Sequence, residues 1–173
     1  MLNKIKIIKA LKKDREKYNK LKTEIFKESY YATINFEIKD GTISEKDYFI
    51  VCDEKKVGVL NICNSVEFGG KFGIGLLGIL KEYRKQGLTK YAINFCKRLA
   101  KRRKETILLA TIPKESEELQ TIFRKIGFKG GRNKTHVYFE DCMFGMLKDV
   151  QLKYIDLSKA SKTLKWQELV MEL

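Results

Sequence analysis

The stretch GILKEYRKQGLTKY, residues 78–91, gathers residue types that hold phosphate. An apolar strand pattern ends near Leu80, a short loop follows, and a helical pattern starts near Leu88. A helix start offers backbone N–H groups with no partner inside the helix, together with the positive end of the helix dipole. Gly87 permits close backbone approach and dihedrals that a side chain resists. Arg84, Lys85 and Gln86 add charge and donors at the same place. The chemistry this supports is anion binding, most naturally of a pyrophosphate. The loop is not a dinucleotide fingerprint, since G-x-G-x-x-G is absent, and not a Walker A loop, since G-x-x-x-x-G-K-[ST] is absent.

Residues that could move a proton are few. The strand pattern GIGLLGIL (73–80) holds no carboxylate, and Glu67, at the end of the preceding strand pattern, is the nearest acid in sequence. Glu37 is a weaker candidate. His136, the sole histidine, and Tyr138 lie on a late strand pattern. Each of these also reads as an ordinary solvated or structural residue. Cys52, Cys63, Cys96 and Cys142 form no C-x-x-C pair and have no histidine at ligand spacing, so no metal site is expected. Scattered single cysteines suggest a reducing compartment. The N-terminal pattern MLNKIKIIKALKK is too interrupted for a signal peptide, and no run reaches the ~18 apolar residues of a membrane span. The expectation is a cytoplasmic protein with no membrane partner.

Charge is uneven. The chain of 173 residues has 36 basic and 22 acidic side chains, net +14. Residues 81–104 alone carry ten Lys or Arg against one acid, Glu82, and 124–134 adds Arg124, Lys125, Lys129, Arg132 and Lys134 with no acid. Three readings stay open for this basic surface: a solvated face, further phosphate binding, or contact with RNA, tRNA or an acidic protein through counterion release.

The elements that must position these residues emerge from periodicity. Residues 3–10 read as a strand and 11–28 as a helix. YYATINFEIKDG then alternates as a strand, although a short helix fits its start. Strands over 47–54 and 57–68 flank a turn at Glu54-Lys55-Lys56, and a nearly all-apolar strand over 73–80 suits a position covered on both faces. Leu88, Tyr91, Ala92, Phe95, Cys96 and Leu99 fall at helical spacing over 88–103. A strand over 106–112, a helix over 115–126 with Gly127 as its C-cap, and a strand over 135–147 complete the core. The tail, 149–173, has a helix-like pattern near its end. The order implies an α/β (α+β) fold with a mixed, mainly antiparallel sheet flanked by helices. It divides into a domain over 1–148 and a C-terminal extension over 149–173. The extension packs on the core or at a homodimer interface.

With the motif and its flanks in view, ILKEYRKQGLTKYAINFCKRLAKR resembles the cofactor motif of the GNAT acyltransferase superfamily, Arg/Gln-x-x-Gly-x-Gly/Ala. Arg84, Gly87 and Thr89 take its three fixed places. LQTIFRKIGF (119–128) resembles that family's second hallmark, a helix running into Lys-x-Gly-Phe. The resemblance implies the GNAT fold, acetyl-CoA or another acyl-CoA as donor, and transfer to a primary amine. It implies that the backbone around Lys85, Gln86, Gly87, Leu88 and Thr89 holds the pyrophosphate. It further implies that Ile79 and Leu80 pair with the pantetheine like an added strand, and that the basic helix lies near the 3′-phosphate. Three positions depart from the pattern: Thr89 replaces Gly or Ala, Ser116 replaces a cofactor-contacting Asn, and Phe123 replaces the tyrosine that protonates the leaving thiolate. Glu67 and Tyr138 are the candidate proton-transfer residues. Two functions remain in view. One is N-acetyl transfer to a protein, an aminoacyl-tRNA or a small amine. The other is a catalytically reduced GNAT-fold module that binds nucleic acid or an acidic protein.

Overall fold

The computed structural model describes residues 4–27, 46–64, 71–139, 142–148, 158 and 162–173. They belong to two compact units, Met1–Cys63 with Ile74–Lys104, and Asn64–Gly73 with Glu105–Leu173. The alternating pattern expected near 30–38 lies outside the described residues.

In the first unit, strand β1 (Ile5–Lys9) is followed by a 3-10 turn (Lys12–Asp14) and helix α1 (Arg15–Phe26). The Asp14 carboxylate accepts the Leu11 N–H at 3.2 Å and pairs with the Lys56 ammonium at 3.1 Å. Strands β2 (Asp47–Cys52), β3 (Lys55–Asn64) and β4 (Phe72–Ile79) come next, and the strand order runs β1-β2-β3-β4. β1 pairs antiparallel with β2, and β2 with β3. The reversal between β2 and β3 comes earlier than the expected Glu54-Lys55-Lys56. Asp53 (φ 46°) and Glu54 (φ 66°) are both left-handed and β3 already begins at Lys55. A two-residue hairpin loop of that hand matches the twist of the strands, and Asp53 anchors it by accepting the Lys4 N–H at 2.9 Å.

The period-two alternation of β2 sends neighbours to opposite faces. Tyr48 meets Phe95 edge-on, with ring centroids 5.2 Å apart, while Phe49 meets Tyr18 of α1 at 5.4 Å. Helix α2 (Leu88–Arg102) buries Leu88, Ala92, Ile93, Cys96 and Ala100, one continuous stripe of the expected amphipathic helix. On the other face α1 lies close to β4. A Cβ at Gly78 would sit 2.5 Å from the Phe26 ring and 2.6 Å from Ile25, so only glycine lets the helix approach.

The second unit contains β5 (Ile107–Pro113), α3 (Glu117–Lys125), β6 (Lys129–Phe139), β7 (Cys142–Lys148) and β8 (Lys162–Glu172), with strand order β5-β8-β6-β7. Two expectations are corrected here. The single strand over 135–147 is two antiparallel strands, β6 and β7, in a register that sets Phe139 opposite Cys142. The acids Glu140 and Asp141 interrupt an otherwise apolar run at that point. The tail's helix-like end is the strand β8, which pairs antiparallel with both β5 and β6. Its apolar residues do not keep period two, although its register against β5 is regular and the shift against β6 falls between Gly130 and Asn133 of β6. Trp166, Leu169 and Met171 are all buried, although 166 and 169 are three apart. Gly127, at φ 110°, ends α3 as a left-handed C-cap.

Among the described residues of this unit Lys134, expected on the basic surface, is instead buried in an ion pair. Lys134 Nζ lies 2.7 Å from Glu168 Oε2, with the two side chains 3% and 14% exposed. Truncating one partner leaves the other charge in a site from which water is excluded. Glu168→Ala should therefore cost about 3 kcal/mol in urea denaturation, whereas the paired change Lys134→Met with Glu168→Leu should cost less than Glu168→Ala alone. A loss under about 0.5 kcal/mol for Glu168→Ala would show that the pair behaves as an exposed one.

Candidate functional site

The loop after β4 is built by a sequence of local hydrogen bonds. The Leu80 N–H donates to the Val57 carbonyl at 2.9 Å. A 3-10 turn over Lys81–Tyr83 comes next, with Tyr83 N–H to Leu80 O at 3.0 Å and Arg84 N–H to Lys81 O at 3.2 Å. Arg84 then folds back, and its Nε donates to the Ile79 carbonyl at 3.0 Å. Gln86 Nε2 donates to the Glu82 carbonyl at 3.3 Å. The side chains of Arg84 and Gln86 thus also brace the loop's shape.

Lys85 (φ 62°) and Gly87 (φ 79°) are both left-handed. Left-handed residues alternating with ordinary ones turn successive N–H groups toward one side, the concave arrangement that holds anions. The strained backbone at Lys85 carries no sequence signal, since lysine has no preference for that region. The first intrahelical bond of α2 is Tyr91 N–H to Gly87 O, at 3.0 Å. The N–H groups of Leu88, Thr89 and Lys90 therefore precede the helical ladder. Leu88 is buried and pins the helix start, while Arg84, Lys85, Gln86 and Gly87 are exposed and Thr89 is half-buried. Ile79 is buried and Leu80 half-buried at the strand end. All these residues lie in the first unit and form one continuous loop and helix start. The arrangement can bind a phosphate or pyrophosphate through backbone N–H groups backed by cations. On α2 itself Lys90, Arg98, Lys101 and Arg102 are exposed, away from the buried stripe.

Other expected residues lie elsewhere. Ser116 precedes α3 in the second unit, and its carbonyl accepts the Gln120 N–H at 3.0 Å. Phe123 is 3% exposed and packs on Phe128, with ring centroids 5.1 Å apart. It has no proton to give in any case. Tyr138 stands on β6 opposite Met143 and Lys162, and His136 opposite Met146 and Leu164. Glu67 and Glu37 lie outside the described residues. Cys96 is fully buried, and burial pushes its thiol up to about 12, so it is not a nucleophile. Among the described residues no group of three or more His, Cys, Asp or Glu is placed to hold a metal ion. Nor is any helix among them long and apolar enough to cross a membrane.

A polar cluster in the first unit belongs to no sequence motif. Asp47, 7% exposed, accepts Asn61 Nδ2 at 2.6 Å and the Tyr18 hydroxyl at 3.3 Å. Burial, then the neighbouring Asp47 charge, pushes the Tyr18 phenol well above its ordinary range. Burial lowers the Lys22 ammonium, against the attraction of Asp47. The one signal in the sequence is parity. Asp47 takes the same strand face as Phe49 and Val51, where the alternation calls for an apolar residue.

No protein-family model matches the sequence, and no curated protein matches it by sequence. Solved structures do match. A PaiA N-acetyltransferase from Thermoplasma acidophilum, in complex with coenzyme A, superposes with a TM-score of 0.62 at 13% identity, over 98% of this chain and 99% of that one. A GNAT family acetyltransferase from Elizabethkingia anophelis with acetyl-CoA bound gives 0.51 at 12% identity, over 73% and 75%. A Bacillus anthracis protein in complex with acetyl coenzyme A gives 0.53 at 14%, and the match spans 73% of this chain and 61% of that one. The chain has the fold of the GNAT acetyltransferases, as the two motifs and the element order imply.

A Cβ at Gly87 would meet nothing within 4 Å, so its substitution isolates the backbone effect. Gly87→Ala should lower stability by about 1 kcal/mol in urea denaturation through its left-handed φ alone. A loss above about 3 kcal/mol would reveal a clash instead. Iodoacetamide at pH 8 should leave Cys96 unlabelled in the folded protein and label it in urea; rapid labelling of the native chain would contradict its burial.

Proposed function

We propose that this chain is a GNAT N-acyltransferase that moves an acetyl group from acetyl-CoA to a primary amine. The observation that carries this reading is the loop after β4, where two left-handed residues, Lys85 and Gly87, precede the open first turn of α2. That donor set suits a pyrophosphate: backbone N–H groups around 85–89, with Arg84, Lys85 and Lys90 supplying positive charge. Acetyl-CoA brings an activated thioester carbonyl when bound. The end of β4, at Ile79 and Leu80, is the segment that would pair with the pantetheine.

The reaction is direct attack. The neutral amine nitrogen bonds to the thioester carbon, the carbon–sulfur bond breaks, and the amine's proton passes through water to the departing sulfur. Phe123 cannot protonate that sulfur, so water or another donor serves. Tyr138 on β6 and Glu67 stand as the proton-transfer candidates that the sequence nominates, and Ser116 as a cofactor contact. The exposed cations of α2 and of 124–132 would draw an anionic acceptor, RNA or an acidic protein.

Calorimetric titration with acetyl-CoA tests the reading. Micromolar binding is expected for the wild type and loss of binding for Gly87→Asp, which adds a carboxylate where the pyrophosphate would lie. Equal affinity in the variant would remove the loop from the binding site. No binding to the folded wild type would reject the transferase reading and leave a basic GNAT-fold binding module.

A further inference from the structure

Helix α2 carries Lys90, Lys97, Arg98, Lys101 and Arg102 and no acid at all. At ~100° per residue, Lys97 and Lys101 return to within about 20° of the direction of Lys90. Arg98 and Arg102, four apart, form a second row beside them. The two rows face away from the buried stripe that runs from Leu88 to Ala100. Lys90, Arg98, Lys101 and Arg102 are exposed and Lys97 is half-buried.

Two features set these cations apart from ordinary surface charge. In the same unit Lys6 pairs with Glu54 at 3.1 Å, Lys27 with Glu24 at 2.6 Å and Lys56 with Asp14 at 3.1 Å. Among the described residues, none of the five on α2 has an ion pair or a side-chain hydrogen bond. Their spacing also works against the helix. Lys97 with Lys101, and Arg98 with Arg102, are like charges at i, i+4, which repel. Lys90 sits in the first turn, at the positive end of the helix dipole, where no acid offsets it. A polyanion lying along the helix relieves both. The donor does not account for the whole row. A pyrophosphate at the loop calls on Arg84, Lys85 and Lys90, whereas Lys97 lies ~15 Å beyond Gly87 and Lys101 ~21 Å beyond it, at ~1.5 Å per residue.

What the face lacks decides which polyanion it suits. A protein interface is built around apolar and aromatic anchors. Among the described residues the exposed large hydrophobics are Ile8 and Leu11, and neither is on α2. A phosphate backbone needs only charge. Single strands stack their bases on open aromatic rings, but Tyr91 and Phe95 are half-buried and Phe95 packs edge-on against Tyr48. A duplex is therefore the better match. A helix whose inner side is buried along its length cannot enter a major groove as a projecting recognition helix does. It can lie across the wide, shallow minor groove of A-form RNA, which displays phosphates and 2′-hydroxyls. Asn94 stands between Lys90 and Lys97 on the same side of α2, half-buried, and among the described residues its side chain makes no hydrogen bond. Its amide can both donate to and accept from a 2′-hydroxyl.

We propose that the outer face of α2 docks double-stranded RNA without regard to sequence, with phosphates on Lys97, Arg98, Lys101 and Arg102 and a 2′-hydroxyl on Asn94. The inference goes beyond the transferase reading and needs no acetyl transfer to be tested.

Fluorescence anisotropy with the full chain and an end-labelled RNA duplex of about 20 base pairs is the test. The comparison ligands are a DNA duplex of the same sequence, the single-stranded RNA, and poly-glutamate. The RNA duplex should bind more tightly than all three, and a second duplex of unrelated sequence should bind equally well. Four neutralised phosphates give a slope of about −3 to −4 for log affinity against log salt. Lys97→Gln with Lys101→Gln should weaken RNA binding about tenfold or more at about 0.1 M salt and flatten the slope by about 2. The same loss of charge at the exposed Lys12 and Lys17, Lys12→Gln with Lys17→Gln, should change RNA affinity by less than about twofold. Asn94→Ala should bring RNA affinity down to that of the DNA duplex. The urea midpoint of the Lys97 and Lys101 variant should equal or exceed that of the wild type, because a repulsion is removed; lost binding is then not lost structure. Equal weakening by the two pairs of substitutions would reduce the effect to net charge and overturn the proposal. Poly-glutamate binding as tightly as RNA would also overturn it and mark a surface for an acidic protein. DNA binding as tightly as RNA, or no RNA binding at low salt, would overturn it too. Calorimetry with acetyl-CoA keeps the donor site apart. The Lys97 and Lys101 variant should retain wild-type affinity, and a loss there would assign the row to the donor and overturn the RNA reading. Failure of the wild type to bind acetyl-CoA would overturn the transferase reading and leave the RNA result standing.

Discussion

The way β4 stops determines the path of the chain beyond it. Its last ladder bond is Leu80 N–H to Val57 O, and its last carbonyl, that of Ile79, is taken by a side chain from five residues further on, Arg84 Nε. The chain turns through the 3-10 segment Lys81–Tyr83, and that turn brings Arg84 back to satisfy the Ile79 carbonyl. The turn then fixes where α2 starts, and the buried Leu88, Ala92, Ile93, Cys96 and Ala100 lock that start against the sheet. The position of the loop between β4 and α2 is thus a result of strand termination and helix packing. The strain at Lys85 is held in place by rigid structure on both sides.

This division of labour explains an apparent excess of charge. By residue type Arg84 and Gln86 suit a ligand's oxygens, yet the structure gives each a bond to the backbone of the loop itself. A phosphate held mainly by backbone N–H groups needs the loop's shape more than it needs any one cation. A stripe of cations continues along α2 to its far end. It includes Lys101 and Arg102, which also suit the negative end of the helix dipole.

Elements with a strong, uninterrupted period are legible from sequence: α2, β4, β5 and α3 lie within about two residues of the expected bounds. So is the strand-to-helix turn at 80–87, because Gly87 and the switch of period mark it. The features that sequence hides depend on partners distant along the chain. β6 begins at Lys129 in a basic, glycine-containing stretch because β8 pairs with it. β8 looks helical because its apolar residues do not alternate, and its pairing with β5 and β6 makes it a strand. The reversal at Asp53-Glu54 is displaced from its expected place because aspartate and glutamate read as strand-end residues, whereas Asp53 holds the turn through a bond to Lys4. The Tyr18–Asp47–Asn61 cluster joins α1, β2 and β3, and no single segment shows it. In each case tertiary pairing overrides a local pattern.

The order β5-β8-β6-β7 also has a consequence for how this chain comes into being. A polypeptide growing from its N-terminus completes β5 and β6 well before residues 162–172 exist. The edges of both strands that later flank β8 have no lasting partner during that interval. Open edges invite pairing with other chains, and closing them requires contacts across more than about fifty residues for β5 and β8, a slow kind of closure. Biogenesis thus has a built-in delay: the edges of β5 and β6 that flank β8 stay open until residues 162–172 have been made.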